Sequence, residues 1–436
     1  MAKKTFAHLA IIIGAALIVI AVLMPTFLVP RLKVIPLDTI STTVTEVGDS
    51  SLLDSGALAS GKPVETRKGD PRCKAEGENP DLPIHCFIAD VPLKSSRHVR
   101  TEEPSDEKRV TLEVGTVILR EDLEEPRNLV NATVDRITLD RKNSFPVDEP
   151  ISSISAAAPG QEGAEEPVQF TRPGIQYQFP FNAEKKSYPY YDTIGLDLFE
   201  IDFIEEEEQD GETVYKYSMT VPPQNLYENT LAHVTRDGRE LTKADESTLA
   251  SLRLAFPAEK WGLEGDDEVE MDRYYTTTRT VRVEPTTGMI VNGTEEIFQF
   301  YARDDAEAEE MVTEEGRAKE AEERNRTALD FSGQWSEETK KNQMAKAKDS
   351  KSALTIAGTV VPWVLGIIGL ILVLLGIRTH RRSESAIGRP PDDPTAGFPP
   401  RPPFSVGGVF RARLLCDAHL PAVRPGGPAR PLDSSP

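Results

Sequence analysis

The sequence predicts a membrane protein in which a mainly β (α+β) extracytoplasmic domain lies between an N-terminal and a C-terminal transmembrane helix. Three observations carry that expectation. Apolar residues are concentrated in two dense runs near the ends of the 436-residue chain, although the whole chain has a net charge of −21. Between the runs, β-branched and aromatic residues alternate with polar ones, the period of half-buried strands. Segments with the apolar spacing of amphipathic helices are scarce there.

The first run, Phe6 to Val29, exceeds the roughly 20 residues that cross a bilayer. It follows Lys3 and Lys4 and is longer than the apolar core of a secretory signal. Pro25, Phe27, Leu28 and Pro30 leave no small-residue cleavage pattern, so the run reads as an uncleaved anchor. The second run, Ala353 to Ile377, stops at Arg378, His380, Arg381 and Arg382. Basic flanks mark the cytoplasmic side, which puts both termini inside the plasma membrane and residues 31–352 outside. Arg31 and Lys33 after the first run, and Lys340, Lys341, Lys346, Lys348 and Lys351 before the second, run against this rule, which is weaker for long translocated segments. Ala10 and Gly14 on the first helix, and Gly358, Pro362 and Gly366 on the second, recur every four residues. Such spacing gives each helix a face that allows close packing.

The expected organisation is therefore residues 1–30 as cytoplasmic N-terminus and first helix, 31–303 as the β domain with a mobile insertion at 48–108, 304–352 as a charged helical stalk, 353–377 as the second helix, and 378–436 as a disordered Pro-rich cytoplasmic tail. Within the domain, strands are expected at Leu32 to Val47, Arg109 to Arg120, Val130 to Leu139 and Ile175 to Phe181, with His85 to Leu93 as the one short strand inside 48–108. Leu196 to Ile204 and Thr213 to Val221 read as a hairpin around an acidic loop. The clearest hairpin is Tyr274 to Arg303, where Pro285 opens a turn and Gly288 closes it.

Chemistry is sparse. Cys73 and Cys86 bracket a short polar loop, and a disulfide closing it fits an oxidising compartment. A zinc reading of Cys73, His85 and Cys86 is poor, because adjacent ligands without a fourth partner do not make a closed site. Cys416 falls in the tail as a free thiol. The histidines have no ligand spacing, and there is no Gly-x-Ser-x-Gly, phosphate loop or dinucleotide fingerprint. No catalytic residue, cofactor or metal is assigned, and no nucleic acid is expected as a partner. The acidic runs Glu205 to Glu208 and Asp266 to Glu270 could supply paired carboxylates, but such chemistry needs an enclosed acid with a raised pKa. Tyr177, Phe179, Phe181, Tyr188, Tyr190 and Tyr191 are dense enough either to plug a β core or to form a ligand platform.

The basic N-terminal anchor running into VPRLKVIPLDT, the VDRITLDR segment at 134–141, the QFPF and YPYYD segments, the VEPTTGMI hairpin and the second span followed by arginines together resemble a family of actinobacterial two-pass envelope proteins, often labelled the porin PorA family. The label implies a pore, while some members are associated with synthesis of mannose-containing lipoglycans. A membrane β-barrel needs many alternating strands of about ten residues and does not share its route with long apolar anchors. The expectation is accordingly a non-enzymatic cell-envelope assembly factor. It would support lipoglycan (lipomannan/lipoarabinomannan-type) or envelope lipid biogenesis by binding plasma-membrane lipids, a lipid-linked glycan or biosynthetic proteins. The alternatives are a glycan-processing enzyme and a porin or transporter.

Overall fold

A computed structural model describes residues 2–74, 82–156 and 167–385. The chain divides into a unit from Met1 to His380 and a second from Arg381 to Pro436, of which only the helix end up to Ser385 is described. The expected disordered tail lies almost wholly outside the described residues, as does Cys416.

Two helices are long and apolar enough to cross a membrane, Lys4–Leu32 and Glu337–Arg382. They run antiparallel. A Cβ placed on Gly14 would lie 2.6 Å from the carbonyl oxygen of Gly369, and one on Gly376 would lie 2.8 Å from that of Ala7. The least exposed positions recur as Ala7, Ala10, Gly14, Leu17, Ala21 and Met24 on one helix, and as Gly358, Pro362, Leu365, Gly369, Leu372 and Gly376 on the other. That alternation of three and four is the seam of a left-handed helix pair, with small residues where the backbones touch. Gly369 and Gly376 therefore belong to the packed face beside the glycines singled out from four-residue spacing. Each helix carries one π-helical stretch, Met24–Leu28 and Ile356–Val360, and the two stretches lie against each other.

Between the helices the chain forms one 14-stranded antiparallel sheet. Its strands are β1 (Ile40–Val44), β2 (Gly48–Leu53), β3 (Ile88–Glu102), β4 (Arg109–Arg120), β5 (Leu129–Asp140), β6 (Ser152–Ala156), β7 (Gln169–Phe170), β8 (Tyr188–Asp192), β9 (Asp197–Gln209), β10 (Glu212–Asn225), β11 (Arg253–Pro257), β12 (Glu268–Glu284), β13 (Met289–Ala302) and β14 (Thr327–Gln334). The order is β7-β6-β5-β4-β3-β2-β14-β13-β12-β10-β9-β8, with β1 on β3 and β11 on β12. The sheet curls until its ends approach: Phe170 of β7 and Tyr191 of β8 place their ring centroids 5.8 Å apart, and Ile175 bridges to Tyr190.

Three readings of the sequence change here. Residues 48–108 contain β2 and β3, strands in the middle of the sheet, because the Ser- and Asp-rich β2 is held by backbone pairing to β3 and β14. The charged stretch 304–352 contains β14, paired along β13, as well as helices. Ile175–Phe181 forms no strand but crosses the interior of the curl. Ile175 and Phe179 are fully buried there among residues of β3, β8, β9, β10, β12, β13 and β14. The β12–β13 turn supports this crossing segment. Gly288 has φ +72°, and its bare Cα faces the carbonyls of Phe179 and Pro180, where a Cβ would collide.

The long helix Glu337–Thr355 docks on the sheet before entering its apolar stretch. Lys351 pairs with Glu212 at 2.7 Å and with Glu284 at 3.5 Å, and Lys348 donates to the carbonyl of Asp210 at 2.6 Å. The hairpin ends of β9–β10 and β12–β13 therefore rest on this helix. Lysines that run against the charge rule in the sequence direct their donors to the domain.

Candidate functional site at the junction of helices and sheet

A cavity of about 670 Å³ opens where the two apolar helices meet the sheet. Its walls come from the segment following the first helix (Leu32, Val34, Ile35), from β3 and β4 (Val99, Leu112), from the crossing segment (Tyr177, Phe181), from the start of β13 (Met289, Ile290), and from the start of the second apolar stretch (Ala353, Leu354). The segment after the first helix is not a strand until Ile40, because it is clamped elsewhere. Ile35 donates its N–H to the carbonyl of Arg141 at 2.8 Å, and the Arg141 guanidinium donates to the carbonyl of Ile35 at 2.7 Å. That clamp buries Ile35 against Val110, Leu112, Val114, Ile137 and Leu139, and Ile35 and Leu112 of this cluster line the cavity.

Several polar side chains of the wall are bonded within the protein. The Tyr177 hydroxyl donates to Asp135 at 2.5 Å, and the same carboxylate accepts two bonds from Arg172, at 2.5 and 2.7 Å. Burial, and then the Asp135 charge, push the Tyr177 hydroxyl well above its ordinary value, so it remains a neutral donor. Gln178 donates to the carbonyl of Thr287 at 2.8 Å, Gln343 to Ser41 at 2.6 Å, and Lys346 to the carbonyl of Ile40 at 3.1 Å.

The aromatic segment divides between two places. Tyr177 and Phe181 are half-buried and line the cavity. Phe179, Tyr188, Tyr190 and Tyr191 are core residues: Phe179 meets Tyr188 edge-on at 5.4 Å and Tyr217 at 4.7 Å. Trp335, Met289 and Leu354 at the cavity carry no motif. The available signal was the apolar continuation of the first run through Leu32, Val34 and Ile35, and the start of the second run at Ala353 and Leu354.

Elsewhere the candidate chemistry serves structure. Cys73 and Cys86 are joined in a disulfide, so the cluster of Asp70, Cys73 and His85 has no free thiolate to offer a metal. Asp70 instead accepts from Arg72 and from His85 at 2.8 Å. In the acidic run of β9, Glu205 pairs with Lys216, Glu206 with Lys185, and Glu207 with Arg282. Glu270 faces Arg253 at 3.4 Å. These carboxylates do not line the junction cavity.

A mainly β antiparallel domain with an apolar helix of membrane length on either side of it in the sequence fits the class of membrane proteins. The family model described as Porin PorA matches residues 6–378, and the chain belongs to that family. A protein named Porin PorA from Corynebacterium amycolatum is 62% identical over 384 residues, covering 87% of this chain and all of the relative. Another of that name, from Corynebacterium resistens (strain DSM 45100), is 47% identical over 411 residues, covering 88% of this chain and 98% of the relative. These matches overturn the expectation of a non-enzymatic assembly factor for lipoglycan or envelope lipids. The relatives carry the name of a porin, the reading placed below assembly because apolar anchors do not fit a membrane barrel and neither apolar span carries charged residues to line a channel.

Proposed function

We propose that several copies of this chain together form a solute-conducting pore of the cell envelope, each copy crossing the plasma membrane twice with its β domain outside and both ends inside. The name borne by the relatives supports the activity. The observation that bears on its architecture is the contact of Gly14 with Gly369, which leaves no room for water between the two helices of one copy. A conduit therefore lies between copies. The sheet supports the same conclusion: its interior is filled by Phe179, Tyr188 and Tyr217, and exposed Glu200, Asp202 and Glu206 on β9 would not face lipid. Lys3, Lys4 and the arginines after Ile377 favour a common cytoplasmic side for both ends.

The test is conductance of the purified full chain in a planar bilayer. Discrete current steps are expected, with a frequency that rises more steeply than in proportion to protein added, because several copies must meet. Chain that is firmly inserted, by resistance to alkaline extraction, yet electrically silent at every concentration would overturn the reading.

A further inference from the structure

We infer that the junction cavity is a binding site for one acyl chain of a membrane phospholipid, drawn from the leaflet that borders the β domain. The inference rests on the membrane placement proposed above and goes beyond conduction. Four observations carry it. First, the cavity is mostly apolar and its volume of about 670 Å³ falls within the range of ligand sites. Second, its wall is continuous with the surfaces that would face lipid. Leu32 ends the first apolar helix, 47% exposed, and Ala353 and Leu354 begin the second apolar stretch. A chain can therefore enter sideways from the bilayer without crossing water.

Third, Tyr177, Gln178 and Gln343 of the wall direct their side-chain hydrogen bonds into the protein, to Asp135, Thr287 and Ser41. These three groups therefore require no polar partner from an occupant. Fourth, the charges on the rim balance in sign, with Arg97 and Lys346 beside Asp38 and Asp349. Recognition then falls on the hydrocarbon and not on a particular headgroup. Because the chain comes from hydrocarbon, its retention against exchange with the leaflet is set by how closely the walls pack around it.

The experiment reconstitutes the full chain in phosphatidylcholine vesicles containing a small fraction of a phosphatidylcholine with a photoactivatable diazirine midway along one acyl chain. After irradiation, labelled peptides are mapped by mass spectrometry. Labelling is expected on Ile35, Leu112, Phe181 or Ile290, in addition to outward positions of the two helices such as Ile12 and Leu370. A Leu112→Trp variant, which fills the cavity, is expected to lose cavity labelling at least five-fold while helix labelling is unchanged. Helix labelling with none in the cavity overturns the acyl-chain site and leaves the membrane placement standing. Absence of labelling on both overturns the placement itself. Cavity labelling that persists in Leu112→Trp, with thermal stability equal to the parent chain, also overturns the site. Protection of the cavity residues from labelling by additional full chain reconstituted in the same vesicles, and not by excess unlabelled lipid, would assign the cavity to a second copy instead.

Discussion

His233 shows how much one side chain can impose on the pH response of this fold. It is 6% exposed, meets Phe170 edge-on at 4.9 Å, and neither ring nitrogen has a hydrogen-bond partner among the described residues. Burial, then the positive charges of Arg236, Arg172 and Arg239, lower its pKa to about 4, against an opposing pull from Asp245. The unfolded chain takes up a proton near pH 6.5 that the folded chain refuses until about pH 4, so stability falls as pH falls across that window and levels off below it. The loss is of the order of 3 kcal/mol by the usual conversion. His233→Leu should flatten the decline in melting temperature between pH 6.5 and 4.5, measured on the full chain in detergent. An unchanged slope would assign the decline to other groups. The role of His233 is not legible in the sequence, since it sits on the short helix Leu226–Val234 and is buried against Phe170 of β7, a residue far away in the chain. Cys73 and Cys86 were easier, because both lie in one local loop.

Among the elements, strands that alternate clearly were legible in the sequence: Arg109 to Arg120 is β4 residue for residue, and the Tyr274–Arg303 hairpin is the pair β12–β13 with its turn at Pro285 to Gly288. β2 and β14 were not, because Gly, Ser, Asp and Gln carry little strand preference of their own and the two are ordered by pairing with each other and with their neighbours. The crossing segment Ile175–Phe181 has the alternation of a strand, yet its backbone bonds go to Pro189 and Tyr191 of β8 and to Gly288 of the β12–β13 turn, which no local pattern encodes. The helix pair was legible in its small residues, with the seven-residue seam added by the structure. That seam makes a prediction for the elements. His8 and His380 hold their rings 5.2 Å apart at one end of the pair. His8→Cys with His380→Cys should form a disulfide readily when isolated membranes are oxidised. Adding Gly14→Ile, whose side chain would enter the Gly369 backbone, should lower that yield several-fold. An unchanged yield would mean that the glycine contact does not hold the helices together.

For the whole molecule, the acidic residues behind the net charge of −21 are concentrated between the two apolar helices, so the domain carries a negative field. Conductance is therefore expected to favour cations: a potassium chloride gradient should give a reversal potential of cation-selective sign that shrinks as ionic strength rises. A reversal near zero at low salt would place the conduit away from that field. The junction cavity was the least legible feature, since it exists only when both ends of the chain and the middle of the sheet meet. The π-helical stretch Ile356–Val360 bears on that meeting. The second helix presents Ala347 to the sheet and Pro362 to its partner helix, and in an unbroken α-helix these positions would point roughly 60° apart at about 100° per residue. The wider turn absorbs most of that rotation. It works as a fixed offset that sets the angular phase between the helix face resting on the sheet and the face resting on the partner helix.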